Sequence, residues 1–248
     1  MSGEPIRETP CLTVVVPVYN EAATVARVLA SVLLQPAVRQ LIVVDDGSID
    51  GTPGELRRFA ETCGDPRLRI AIHTANRGKG AALRTGFALA EAPLVLIQDA
   101  DLEYDPAEYE LLLAPIRSGH ADAVFGTRFP GLNDPRVVYR RFFWGNRLLT
   151  FLSNLCTGLR LSDITAGFKV LRREIVRQLT IEERGFGIDA EIVAKTARLG
   201  CRIEEVPISY RGRTFAEGKK IGWRDGIMII GCILKYNLQR GARPSANR

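Results

Sequence analysis

Leu41-Ile42-Val43-Val44-Asp45-Asp46-Gly47-Ser48 decides the fold: an apolar, largely β-branched run passes directly into two acids, a glycine and a serine. A short apolar run without polar alternation reads as a strand buried on both faces. The acids mark where it meets solvent at its carboxyl end. The same pattern recurs on either side. Upstream, Leu12 to Val18 ends at Tyr19-Asn20-Glu21, and a helical pattern follows from Glu21 to about Leu34. Downstream, a helix over Thr52 to Thr62 leads to a strand over Leu68 to His73. A further helix over Lys79 to Ala90 leads to a strand over Leu94 to Ile97, which ends at Asp99-Ala100-Asp101. Buried strands separated by helices predict an α/β fold with a mostly parallel sheet flanked by helices. In such sheets ligands collect beyond the carboxyl ends of the strands, where all three polar clusters fall.

Farther along, the spacing predicts a helix over 106–118, a strand over 121–126 and a Phe-, Leu- and Arg-rich helix over 137–159. A turn-rich segment over 163–173, a helix over 187–199 and a strand from Arg202 to Tyr210 follow. A basic loop then precedes a last helix from Trp223 to Gln239. No repeat or linker interrupts residues 1–240, which read as one domain with a polar tail over 241–248. The 248 residues suffice for a full core, and 46% apolar and 25% charged residues are those of an ordinary globular chain. The net charge of +6 is unevenly spread. Residues 1–135 hold 12 Lys and Arg against 18 Asp and Glu, and residues 136–248 hold 22 against 10. An acidic half suits a metal; a basic half suits phosphates or an anionic membrane surface.

Five scattered cysteines without a CxxC pair argue against a zinc site or a disulfide framework. The first ten residues lack signal-peptide order, and no stretch reaches the roughly 18 apolar residues of a membrane span. The expected location is cytoplasmic, or peripheral on the cytoplasmic face of a membrane. In the last helix Trp223, Ile227, Ile230, Leu234 and Leu238 form an apolar stripe, widened by Met228, Ile229 and Ile233. Trp144 and Trp223 stand near Arg140, Arg141 and Arg224, a combination that fits a membrane interface as well as a packed core. The basic half lacks a nucleic-acid reading motif, so a nucleic-acid partner is not expected.

Asp99 and Asp101, with Glu103 two residues on, offer hard oxygen ligands to Mg²⁺ or Mn²⁺. A solvated loop with Asp105 capping the next helix is the alternative. Asp45-Asp46-Gly47-Ser48 either presents a carboxylate to a nucleobase or ribose, or is a turn and helix cap. Asn76-Arg77-Gly78-Lys79-Gly80 precedes a helix and has the composition of a phosphate cradle, though not of a Walker A loop. Arg211-Gly212-Arg213 and Lys219-Lys220 bracket a glycine-containing loop suited to clamping a diphosphate.

Taken in order, these pieces resemble the family-2 glycosyltransferases of GT-A fold, and within them the dolichol- and polyprenyl-phosphate mannose and glucose synthases. Gly126-Thr127-Arg128, Ser162-Asp163-Ile164-Thr165-Ala166-Gly167-Phe168-Lys169 and Glu205-Val206-Pro207-Ile208 complete the set, which spans Leu12 to Tyr236. The resemblance implies nucleoside contacts at Pro17, Tyr19, Glu21 and Asp46. It implies metal and diphosphate contacts at Asp99 and Asp101 with Ala100 alongside, Glu103 standing where the branch often has Gln. Lys79, Arg128, Lys195, Arg213 and Lys219 would handle donor or acceptor phosphates, and Asp163, Arg128 and Arg213 would form the catalytic group. The expected reaction is inverting transfer of a hexose from a GDP-mannose- or UDP-glucose-type donor to a polyprenyl or dolichyl phosphate. A phosphate acceptor is already anionic and needs no strong base, and His73 and His120 lie outside every motif. A hydroxyl acceptor would require one, with Asp163 or a metal-site acid as candidate. The competing readings are such a hydroxyl-directed transferase and a non-catalytic nucleotide-sugar-binding subunit. Members with C-terminal membrane helices exist; this sequence has none, which leaves attachment to amphipathic helices or a partner.

Overall fold

The computed structural model describes residues 9–128, 140–212 and 223–238. Its centre is a seven-stranded sheet in the order β3-β2-β1-β4-β6-β5-β7. The strands are β1 (Leu12–Val18), β2 (Val38–Asp45), β3 (Leu68–Ile72), β4 (Leu94–Ile97), β5 (Ala123–Thr127), β6 (Lys169–Arg172) and β7 (Ile203–Pro207). β1 pairs in parallel with β2 on one side and β4 on the other, placing Val15 opposite both Ile42 and Ile97. β6 runs antiparallel to both of its neighbours. The mostly parallel sheet expected from the sequence is therefore present, with one reversed strand inside it.

Helices cover both faces. They are α1 (Val25–Leu33), α2 (Thr52–Cys63), α3 (Lys79–Leu89), α4 (Tyr109–Arg117), α5 (Arg140–Thr157), α6 (Arg173–Gln178), α7 (Ile188–Arg198) and α8 (Trp223–Leu238). Successive β1 side chains point to opposite faces: Val14 and Val16 join one core cluster with α1 and α4, and Val15 joins the other with α3, α7 and α8. Such two-sided burial is why these strands are continuous apolar runs. α3 lies very close to the sheet, since a Cβ on Gly86 would sit 2.2 Å from Val15 Cγ1.

β6 lies inside the segment read from sequence as turn-rich. Its ends are Lys169 and Arg172, both buried, and charges at strand ends hide a strand from hydrophobic periodicity. Their partners are distant in sequence: Lys169 pairs with Asp189 at 2.5 Å and Arg172 with Asp122 at 3.6 Å. The helix expected over 106–118 begins as a 3₁₀ turn at Pro106–Glu108, with Asp105 accepting from the Ala107 amide at 3.0 Å. No helix of the described residues is long and apolar enough to cross a membrane.

α8 is apolar on two sides. Ile229, Cys232, Ile233 and Tyr236 enter the core, whereas Ile227, Leu234 and Leu238 are exposed. Trp144, Leu148, Phe151 and Leu155 of α5 form a second exposed stripe, and α5 packs beside α8.

Candidate active site

The carboxyl ends of β1, β2 and β4 meet around a cleft of about 390 Å³. Pro17, Tyr19, Glu21, Asp46, Lys79, Asp99, Ala100, Asp101, Glu103 and Arg128 all line it, so most of the residues singled out in the sequence converge there. The loops after β1 and β2 are cross-linked by polar side chains. The Asn20 amide donates to Ser48 Oγ at 2.9 Å, the Glu21 amide to Thr52 Oγ1 at 2.9 Å, and the Ser48 amide to Asp45 Oδ1 at 3.1 Å. Asp45, Ser48 and Thr52 thus serve as turn and loop ties, one of the two roles open to them.

Asp46 is nearly buried and heavily engaged. His73 Nδ1 lies 2.6 Å from its Oδ1, and the Arg77 and Gly78 amides donate to it at 3.0 and 2.6 Å. His73, taken from sequence to be outside the motifs, is therefore Asp46's neighbour. The signal was present: β2 and β3 are parallel with Asp45 opposite Ile72, so the next residue on each strand meets at the same edge. The phosphate-cradle reading of 76–80 is also corrected. The Gly78 amide is taken by Asp46 and the Gly80 amide donates to Arg184 O at 3.1 Å. These glycines serve close packing: a Cβ on Gly78, whose φ is +90°, would lie 2.2 Å from Arg184 O.

Lys79, the first residue of α3, reaches across the cleft to Asp99 Oδ1 at 2.6 Å. Burial alone would lower its pKa, but Asp99, Asp189 and Asp101 together raise it above the ordinary lysine value. Asp101 accepts from the Glu103 amide at 3.3 Å. Glu103 itself accepts from Tyr210 Oη at 3.0 Å. The expected trio of Asp99, Asp101 and Glu103 does not converge: among the described residues no group of three or more His, Cys, Asp or Glu is placed to hold a metal ion. Two carboxylates remain at the strand end, beside a cleft that already attracts one cation.

Arg128 directly follows β5 and is fixed by Asp163, which accepts from Nε at 2.7 Å and from Nη2 at 3.0 Å. Thr165 Oγ1 takes a further Arg128 bond at 2.7 Å, and the guanidinium lies over the Tyr210 ring at 5.0 Å. Asp163 does not line the cleft. Its carboxylate is fully buried and also accepts from Asn146 Nδ2 at 2.8 Å. Burial would raise the Asp163 pKa; Arg128 and these bonds more than offset that and hold it below the usual carboxylate value. A base for a hydroxyl acceptor, the role open to Asp163 from sequence, is thereby corrected to an anchor for Arg128.

Lys195 also stands outside the cleft. Its ammonium bonds the Thr180 carbonyl, Glu182 at 2.8 Å and Glu191 at 2.6 Å. Glu191 is fully buried and accepts from the Glu182 and Glu183 amides, so Lys195 neutralises the acid that anchors segment 182–183. That segment leads into Arg184, Gly185 and Phe186, a cleft wall that sequence reasoning missed. Tyr104, Thr165, Asp189 and Tyr210 were missed as lining groups as well. Asp189, in the first turn of α7, is ordinary helix-terminus chemistry until Lys169 is found beside it. Arg213 and Lys219 lie outside the described residues.

With this geometry in view, residues 13–180 match the family described as Glycosyl transferase family 2, well over half the chain. The chain belongs to glycosyl transferase family 2. This family-2 glycosyltransferase is 34% identical over 228 residues to undecaprenyl-phosphate mannosyltransferase of Micrococcus luteus, covering 87% of this chain and 90% of that one. It is 30% identical over 224 residues to polyprenol monophosphomannose synthase of Mycolicibacterium smegmatis, covering 88% and 83%. Glucosyl-3-phosphoglycerate synthase of Mycobacterium tuberculosis, solved with Mn²⁺, UDP and phosphoglyceric acid, superposes with a TM-score of 0.69. That likeness is at 22% identity and covers 95% of this chain and 80% of that one; it bears out the GT-A fold.

Gly167 gives the glycosyltransferase a sharp steric test. A Cβ there would stand 2.3 Å from Asp99 Oδ2 and 2.9 Å from Tyr104 Cε2. Gly167→Ala is expected to lower kcat/KM for glycosyl transfer by roughly 10²-fold, because displacing a cleft carboxylate by about an ångström misplaces whatever it holds. Steady-state kinetics on the purified variant, beside a melting curve to show that it is folded, measures this. Wild-type kinetics would mean that Asp99 can shift without consequence.

Proposed function

We propose that this chain transfers a hexose from a nucleoside-diphosphate sugar of the GDP-mannose or UDP-glucose type to a polyprenyl phosphate at a membrane surface, with inversion at the anomeric carbon. The observation that carries the choice of acceptor is the burial of Asp163 against Arg128. A hydroxyl acceptor needs a base, whereas a phosphate monoester is already an anion that needs a positive groove. In this reading an acceptor phosphate oxygen forms the new bond to the anomeric carbon as the bond to the nucleoside diphosphate breaks in line. The polyprenyl-phosphate relatives support the same acceptor.

Pro17, Tyr19, Glu21 and Asp46 would seat the nucleoside, with Asp46 also holding the turn before α3. Arg128, kept in place by Asp163 and Thr165, would orient phosphate oxygens with a planar donor set. Arg213 and Lys219 are assigned to the same diphosphate from the basic loop. Asp99 and Asp101 fit a Mg²⁺ or Mn²⁺ ion in their chemistry: two hard oxygen donors suffice where phosphates and water complete the shell. When bound, such an ion supplies charge neutralisation of the leaving diphosphate. The exposed stripes of α5 and α8 would rest on the lipid surface, with the basic half of the chain favouring anionic headgroups.

The test is transfer of radiolabelled hexose from GDP-mannose and UDP-glucose, with Mg²⁺ or Mn²⁺, to polyprenyl phosphate in anionic liposomes. Label is expected in an organic-extractable, mild-acid-labile product, and the protein is expected to sediment with the liposomes. Label moving only to a water-soluble hydroxyl compound would overturn the acceptor. Metal-dependent nucleotide binding without turnover on any acceptor would leave a binding subunit.

A further inference from the structure

Lys79 is held where its charge can do only a few things. Its backbone is set by the preceding turn, whose Arg77 and Gly78 amides are bound by Asp46. The Arg184 carbonyl closes over Gly78, and the Gly80 amide donates to that same carbonyl, so the first turn of α3 cannot slide. From that fixed start the four-carbon stem delivers the ammonium to Asp99 at 2.6 Å, with about a quarter of the side chain exposed to the cleft. Asp189, the other nearby carboxylate, already has the Lys169 ammonium at 2.5 Å. Among the described residues, Lys79 is thus a cation that balances Asp99 and, at longer range, Asp101.

A divalent ion approaching these two carboxylates must displace or repel an ammonium already in contact with one of them. In a partly buried site that competition is strong. A nucleoside diphosphate changes the balance, because its oxygens offer the ammonium a new partner on the same side of the cleft. Lysine suits the exchange, being a point charge on a flexible stem rather than a rigid fork. Resting on the metal and nucleotide-sugar reading above, we propose that Lys79 is a resident counter-cation. It guards Asp99 against a bare metal ion and passes to the donor diphosphate when metal and donor bind together. Metal and donor then favour each other's binding, and the coupling is reciprocal.

The proposal predicts opposite signs for two affinities in one variant, which a merely structural lysine does not. Free Mn²⁺ is titrated by electron paramagnetic resonance against the wild type, Lys79→Met, Lys79→Gln and Lys79→Arg, without acceptor, and with and without a panel of nucleoside diphosphates. Lys79→Met and Lys79→Gln are expected to bind Mn²⁺ alone about tenfold or more tightly than the wild type, and nucleoside diphosphate about tenfold or more weakly. Lys79→Arg is expected to keep the wild-type affinity for Mn²⁺ alone. If the wild type takes up Mn²⁺ with nucleotide but the neutral variants bind Mn²⁺ alone no more tightly, the counter-cation role is overturned and the metal reading stands. If the wild type takes up no Mn²⁺ with any nucleotide, the metal reading itself falls. Circular dichroism on each variant, with two neutral replacements, keeps a folding defect from deciding the result.

Discussion

Asp101→Ala is expected to lower kcat for glycosyl transfer by roughly 10³-fold while leaving the melting temperature nearly unchanged. The two halves of that expectation have separate causes. Asp101 follows the end of β4 on a partly exposed turn, so removing its side chain opens no cavity in the core. Its loss there should cost under about 1 kcal/mol. Charge on a leaving diphosphate is a different matter, since nothing else at the end of β4 repeats the Asp99 and Asp101 pair. Asp101→Asn keeps the shape and loses the charge, and should be nearly as inactive. Raising Mn²⁺ should restore part of the Asn variant's activity but little of the Ala variant's. Activity within tenfold of the wild type in either would remove Asp101 from the reaction.

Asp163→Ala should act on stability first and on activity as a result. The change deletes a fully buried carboxylate and leaves the Arg128 guanidinium without its two-point partner. Removing one member of a buried pair costs roughly 3–5 kcal/mol. For a chain of this size that corresponds to a fall in Tm of about 10 °C. Asp163→Asn retains an acceptor for Arg128 and should lose less. The pH dependence has a definite sign. The folded-state pKa of Asp163 is lowered, so its contribution is complete above the ordinary carboxyl value of 3.8 and is lost as pH falls through the lower folded value. Urea titrations of wild type and Asp163→Asn should therefore differ most at neutral pH and converge below about pH 4. A constant difference across that range would mean that the Arg128 pairing is not what stabilises the site.

The parts of this molecule legible in its sequence are those governed by one strand at a time. β1, β2 and β4 announce themselves because burial on both faces leaves no polar residue within them, and their acids fall at the edge where ligands gather. Asp46, Asp99 and Asp101 were found for that reason, whereas Arg128 was found through the resemblance of Gly126-Thr127-Arg128 to a family motif. What escaped depends on pairs that the chain brings together from afar. β6 was hidden because Lys169 and Arg172 bound it, and nothing local shows that Asp189 and Asp122 neutralise them inside the fold. Asp163 and Lys195 were assigned to chemistry through the family resemblance. Only the structure shows that each spends its charge holding another group. The wall at Arg184 to Phe186 carries no pattern of its own and matters through what it touches, while His73 is legible only once β2 and β3 are paired.

Segment 182–186 is gripped from three directions: by the start of α3 and the residue before it, at Gly80 and Gly78, by Glu191 of α7, and by Lys235 and Tyr236 of α8, whose Nζ and Oη both contact Glu183 Oε1. For anyone seeking to re-engineer the cleft by grafting, this wall is not a detachable loop. A stretch placed here without an acid at position 183 would leave a phenol and a lysine of the last helix to find new company, and one with a different backbone path would meet the close seats at Gly78 and Gly80. The smallest exchangeable unit at this edge of the cleft is therefore the wall together with the beginning of α3, Glu191 and the end of α8, four stretches of chain that must be recombined as one.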